Sequence, residues 1–142
     1  MSRLFILLTL LTMATNSSAY CLNKEVPGIT MVKLSIALKT MNGATITSLQ
    51  CHKSMQVPLT AAFACVKLLG MESELKTTGG CFCYRNIAGT DRLSRHANGT
   101  AIDINPGLPI PQKVVECFES AGFKWGGRWI NPDLMHFELI RK

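Results

Sequence analysis

The chain has 142 residues and a formal net charge of +6. That length suits one domain with a real core rather than two. The basic residues are scattered, with no Lys/Arg run and no interleaved aromatics, which argues against a nucleic-acid partner.

Residues 1–19 read as a signal peptide. Met1-Ser2-Arg3 is a short positive start, Leu4 to Thr15 is apolar, and Ser17-Ser18-Ala19 supplies small residues for cleavage after Ala19. The apolar run is shorter than the roughly 18 to 20 residues of a spanning helix, and no stop-transfer pattern follows, so no stable membrane anchor is expected after cleavage. Residues 20–142 then form the working domain, 123 residues of net charge +5 once Arg3 is removed. Its expected location is periplasmic or secreted, and a monomer is expected. All six cysteines, Cys21, Cys51, Cys65, Cys81, Cys83 and Cys117, lie beyond the leader. In an oxidising compartment they should form three disulfides, and with no Cys-x-x-Cys pair a cysteine-ligated zinc is disfavoured. Of the possible pairings, only Cys81 with Cys83 is discouraged by their closeness.

Residues 27 to 58 carry short β-branched and apolar runs broken by Pro27, Gly28, Asn42 and Gly43, and are read as loops and short elements. Pro58 to Leu69 is read as a mostly apolar helix, with Ala61, Ala62, Cys65, Val66, Leu68 and Leu69 marking it and Gly70 ending it. Cys81 to Arg85 and Thr100 to Asn105 look like strands. A second helix is expected from Pro111 to Ser120, burying Val114, Val115 and Phe118 and ending at Gly122. His136 to Ile140 closes the chain as a further strand.

Two of these strands place polar groups where core residues are expected. In "SRHANGTAIDIN" the alternation puts Ala101 and Asp103 on one face and Ile102 and Ile104 on the other. In "NPDLMHFELI" it puts His136, Glu138 and Ile140 on one face and Phe137 and Leu139 on the other, with Asp133 in a turn begun by Asn131-Pro132. If the strands are neighbours, His96, Asp103 and His136 can converge on one zinc ion, leaving a fourth position for water as catalytic sites do. Asp133 would then reach that water as general base. Glu138 reads as a second base or, better, as a partner that holds a ligand histidine. Ser94 either contacts substrate or caps the His96 loop. Trp125 and Trp129 either line a cleft or pack in core and turn, and His52, with no partner at metal spacing, reads as a loop histidine.

"SRHANGTAIDIN", "GFKWGGRW" and "DLMHFEL" together resemble the zinc D-Ala-D-Ala peptidases, which cleave peptidoglycan stem peptides. Ser94, His96, Gly99, Ala101 and Asp103 match the family's first motif, and Asp133 and His136 its second. The resemblance implies His96, Asp103 and His136 as ligands of one zinc ion and Asp133 as base. It also implies that Tyr84-Arg85 corresponds to a Tyr-Arg element whose arginine holds substrate and stabilises the oxyanion. The "GFKWGGRW" run looks most like the branch with L-alanyl-D-glutamate endopeptidases. The fold implied is α+β, a small hedgehog/D-Ala-D-Ala peptidase-like domain whose antiparallel sheet bears the metal, with helices packed on its other side. The resemblance covers roughly residues 79 to 140, and a secreted zinc module that binds wall peptides or a protein partner without cleaving is the alternative.

Overall fold

The computed structural model describes residues 20–140; the expected signal peptide lies outside the described residues. Six strands form one sheet in the order β2-β1-β3-β4-β6-β5. Strand β1 (Ile29–Thr40) and β2 (Thr45–His52) make a long antiparallel hairpin. This corrects the reading of residues 27 to 58 as loops and short elements. In β1, Val32, Leu34, Ile36 and Leu38 are buried at every second position, the signature of a strand with one face on a core. Asn42-Gly43 interrupts the apolar runs because it is the hairpin turn itself, closed by the Gly43 N–H donating to Thr40 O at 2.9 Å.

Helix α1 (Gln56–Leu68) follows and buries Leu59, Ala62, Phe63 and Val66, an i, i+3, i+4, i+7 stripe. The expected helix is present, but its buried face differs from the run of apolar residues that marked it: Leu68 and Leu69 are exposed. Past Gly70 the chain turns with the Met71 N–H on Val66 O and the Gly70 N–H on Lys67 O, the paired bonds of a Schellman stop. Helix α2 (Gln112–Ser120) buries Val114, Val115, Cys117 and Phe118. The two helices pack together, with Phe63 edge-on to Phe118 at 5.9 Å, and Phe118 also meets Phe123 and Phe137 of the sheet.

The remaining strands are short: β3 (Thr77–Gly80), β4 (Ala101–Ile104), β5 (Phe123–Trp125) and β6 (His136–Leu139). All sheet pairings are antiparallel except β1 with β3, which is parallel. The α+β class and the packing of helices against a mainly antiparallel sheet agree with expectation. The strand expected at Cys81 to Arg85 is displaced: β3 ends at Gly80, and the following stretch holds only isolated bridges, Leu22 with Tyr84 and Asn86 with Leu93. Three disulfides are present, Cys21–Cys83, Cys51–Cys81 and Cys65–Cys117. Cys81 and Cys83 are each tied elsewhere in the chain. Among the described residues no helix is long and apolar enough to cross a membrane.

Candidate metal centre

Strand β4 lies inside the sheet between β3 and β6, and all four of its residues are buried. Ile102 and Ile104 belong to the hydrophobic core, so the alternation sends Ala101 and Asp103 to the opposite face. Across the β4–β6 ladder Asp103 pairs directly with His136, which places both side chains on that face. Gly79 of β3 completes the approach: a Cβ there would lie 3.0 Å from Asp103 Cβ.

The second histidine arrives on a 3-10 turn, Arg95–Asn98. Ser94 caps its start, its hydroxyl accepting the His96 N–H at 3.2 Å, and the serine is buried. Of the two roles considered for Ser94, the cap is the one observed. Gly99 ends the turn at φ +65°, and a side chain there would collide with the Cys51–His52 backbone and Ile29. The Ser-x-His-x-x-Gly spacing is therefore the length of one capped turn, and it delivers His96 over Asp103.

Three electron-pair donors meet at this point. His96 Nε2 lies 3.1 Å from Asp103 Oδ1 and 3.2 Å from His136 Nδ1, and His136 Nδ1 lies 3.3 Å from Asp103 Oδ1. The three residues are 3%, 6% and 6% exposed, which shields the cluster from water that would otherwise solvate it. Each imidazole is also held at its far nitrogen. His96 Nδ1–H donates to Cys81 O at 2.8 Å and His136 Nε2–H to Glu138 Oε2 at 3.2 Å, so the inward nitrogens face Asp103, carrying a proton toward its carboxylate or, once deprotonated, a lone pair that a cation can take. Glu138 thus fixes the orientation of the His136 ring.

Electrostatics mark the same point as one that favours positive charge. Burial by itself opposes the Asp103 carboxylate, but hydrogen bonds from His136 and His96, with their charges, take its pKa well below the carboxylate range. Burial likewise disfavours charge on His136. Hydrogen bonds to Asp103 and Glu138, with the charges of Asp103 and Asp133, outweigh it and raise the pKa from 6.5 to about 9. Two imidazoles and a carboxylate converging on one point fit a divalent cation that displaces the inward proton of His136, with nitrogen and oxygen donors in the proportion zinc takes in catalytic sites.

The neighbouring residues take defined places. Asp133 is half-buried in the turn before β6, its N–H donating to Gly126 O at 3.0 Å. A Cβ on Gly126 would strike Asp133 O at 2.6 Å and crowd the Cβ atoms of Asp133 and His136, so glycine lets this turn close on the site. Trp129 packs near the His136 ring, with centroids 5.2 Å apart, whereas Trp125 stacks on Phe137 and donates its indole N–H to Leu134 O. Arg85 is half-buried and its carbonyl accepts the Ser94 N–H, putting it one hydrogen bond from the His96 turn. Tyr84 faces the N-terminal segment: its hydroxyl accepts from Lys24 Nζ at 3.0 Å, and the same ammonium lies 4.5 Å from its ring centroid. His52 lies apart from the cluster, with Nδ1 on Ser54 Oγ.

Sequence reasoning left Cys81 O, Gly79, Gly126 and Asn105 without a role. Asn105 ends "AIDIN" at φ 51°, is 1% exposed, and accepts the Lys76 and Thr77 N–H groups on Oδ1, which holds the approach of β3 to β4. A buried asparagine at a strand end was the available signal. A large cavity of about 1100 Å³, lined by Val57, Pro58, Ala61, Arg95, Leu139 and Ile140 among others, does not include the His-Asp-His cluster.

The cluster is a group of three buried donors that could hold a metal ion, and one comparison with known families bears on it. Residues 88–139 match the family model described as D-alanyl-D-alanine carboxypeptidase. The matched segment contains His96, Asp103, Asp133 and His136 and supports the metallopeptidase family read from the motifs. Tyr84 and Arg85 fall just outside it. No curated protein matches the chain.

Proposed function

We propose that this protein is a zinc peptidase that hydrolyses an amide bond in the peptidoglycan stem peptide, of the D-Ala-D-Ala carboxypeptidase or L-Ala-D-Glu endopeptidase type. The observation that carries this reading is the convergence of His96 Nε2, Asp103 Oδ1 and His136 Nδ1 with both outer imidazole nitrogens already engaged. These three residues would hold the ion. When bound, it supplies Lewis acidity, polarising an amide carbonyl and making water easier to deprotonate.

The chain's own residues supply the rest. Asp133, in a turn anchored by Gly126, takes a proton from the attacking water and returns it to the leaving amine. Arg85 carries positive charge to the substrate and to the carbonyl oxygen as negative charge develops there. Cys81 O and Glu138 keep each ligand ring from rotating, and Trp129 walls the His136 side. Export to a periplasmic or extracellular space accords with three disulfides.

The test is digestion of purified peptidoglycan by the metal-loaded protein, with and without a chelator, read by mass spectrometry. Chelator-sensitive release of D-alanine assigns a carboxypeptidase, and new glutamate amino ends assign an endopeptidase. Wall peptides bound without any product would replace the enzyme with a binding module.

A further inference from the structure

His96 is gripped twice by one short stretch of chain. Its ring Nδ1–H donates to Cys81 O at 2.8 Å, and its own carbonyl accepts the Cys83 N–H at 3.0 Å. Yet that stretch has no ladder of its own, because β3 has ended at Gly80. What holds it is the Phe82 N–H on Gln50 O at 2.9 Å and two covalent bonds within three residues, Cys51–Cys81 and Cys21–Cys83. The Cys51–Cys81 bond is buried, at 0% and 2% exposure. Its β2 end is also tied to the far side of the histidine turn, where the His52 N–H donates to Gly99 O at 2.8 Å. Contacts thus run in a closed ring from β2 through the disulfide to Cys81, on to His96, along its turn to Gly99 and back to β2.

The third bridge is placed differently. Cys65–Cys117 joins α1 to α2 in the helical layer, beside the Phe63–Phe118 contact and away from the His-Asp-His face.

We propose that Cys51–Cys81, reinforced by Cys21–Cys83, is a positioning element for the metal centre: it fixes the carbonyl that orients His96, and metal affinity depends on its oxidation. This inference rests on the reading of His96, Asp103 and His136 as ligands. An imidazole that loses the acceptor at its far nitrogen can rotate and exchange tautomers, and loss of such partners weakens metal binding about 10- to 100-fold. A chain with thiols at positions 51 and 81 therefore holds the ion less tightly, so metal loading follows oxidation. Linkage is reciprocal, and a bound ion must in turn protect this bridge from reduction.

The experiment measures zinc affinity by competition with a chromophoric chelator, and the visible spectrum of the cobalt(II) form, for the oxidised protein and two double variants. Alanine replaces cysteine in pairs, because freed thiols would themselves bind the ion. Cys51→Ala/Cys81→Ala is expected to lose affinity about 10-fold or more and to shift the cobalt spectrum. Cys65→Ala/Cys117→Ala is expected to melt earlier yet bind within about twofold of the parent, as distant sites do. Equal losses in the two variants, or none in the first, would overturn the proposal.

Should the first variant fail to fold, the parent protein is reduced stepwise with a phosphine and its thiols alkylated and mapped. Zinc that delays labelling of Cys51 and Cys81 more than that of Cys65 and Cys117 upholds the proposal; uniform delay sinks it. A parent protein that binds no zinc removes the ligand reading itself, an outcome distinct from either.

Discussion

At the scale of single residues, the proposed function assigns metal binding to His136 and proton transfer to Asp133, only three positions apart. His136 turns Nδ1 inward to Asp103 and the buried His96 ring, whereas Asp133 sits half-exposed on the turn and reaches His136 through its charge. Asp133→Ala should keep the metal and lose turnover by about 10²- to 10⁴-fold, the usual contribution of a general base. His136→Ala should lose both, with metal content read by elemental analysis beside the peptidoglycan assay. Wild-type turnover in Asp133→Ala would move the base to Glu138. These residues were legible because the chemistry of the site is written in residue types at fixed spacing: a capped turn for His96, a two-residue alternation for Asp103 and His136. Cys81 was legible only as a cysteine. Its part is played by a backbone carbonyl, which every residue possesses and no sequence pattern marks.

Among the elements, β4 depends on its neighbours for its place in the sheet. Its pairing with β3 covers only Thr78 with Ile104 and Gly80 with Asp103, with a shift between them, and Asn105 supplements that short ladder by binding two N–H groups at the start of β3. Asn105→Ala would leave these donors unpaired in a half-buried setting, at a cost of about 1–3 kcal/mol. Urea unfolding should show the lower midpoint, and an unchanged midpoint would remove Asn105 from this role. The two helices were readable from apolar periodicity and their glycine stops. The β1–β2 hairpin carried an equally strong signal, alternation through "VKLSIALK" on one side of Asn42-Gly43, but reading the turn residues as breaks concealed it. β3 is a different case: half of Thr77-Thr78-Gly79-Gly80 is glycine, which weakens the strand signal of the two threonines, and it becomes a strand because β1 and β4 offer it partners on both sides.

For the whole molecule, the charge balance of the centre predicts how the metal-free protein responds to pH. His136 has its pKa raised from 6.5 to about 9 in the fold, so its protonation contributes stability that is full below pH 6.5 and lost as pH rises through about 9. Asp103 is lowered, so its contribution is present above the ordinary carboxylate range and fades in acid. With a chelator present, the thermal midpoint should therefore fall between pH 6.5 and 9, and zinc should abolish that fall by taking the proton's place. A flat profile without metal would refute the account. The same competition requires zinc affinity to rise over this interval.

The sequence by itself determined which donor-bearing residues recur at which spacing, both helices and the surplus of cysteine, because those properties reside in local pattern and side-chain chemistry. Which cysteines pair, that β4 lies beside β6 with Asp103 opposite His136, and that Cys81 turns a carbonyl toward His96 were decided by tertiary structure alone, since each joins residues 15 to 62 positions apart. Contacts over such separations are selected by the packing of the entire chain, and no local stretch contains both partners.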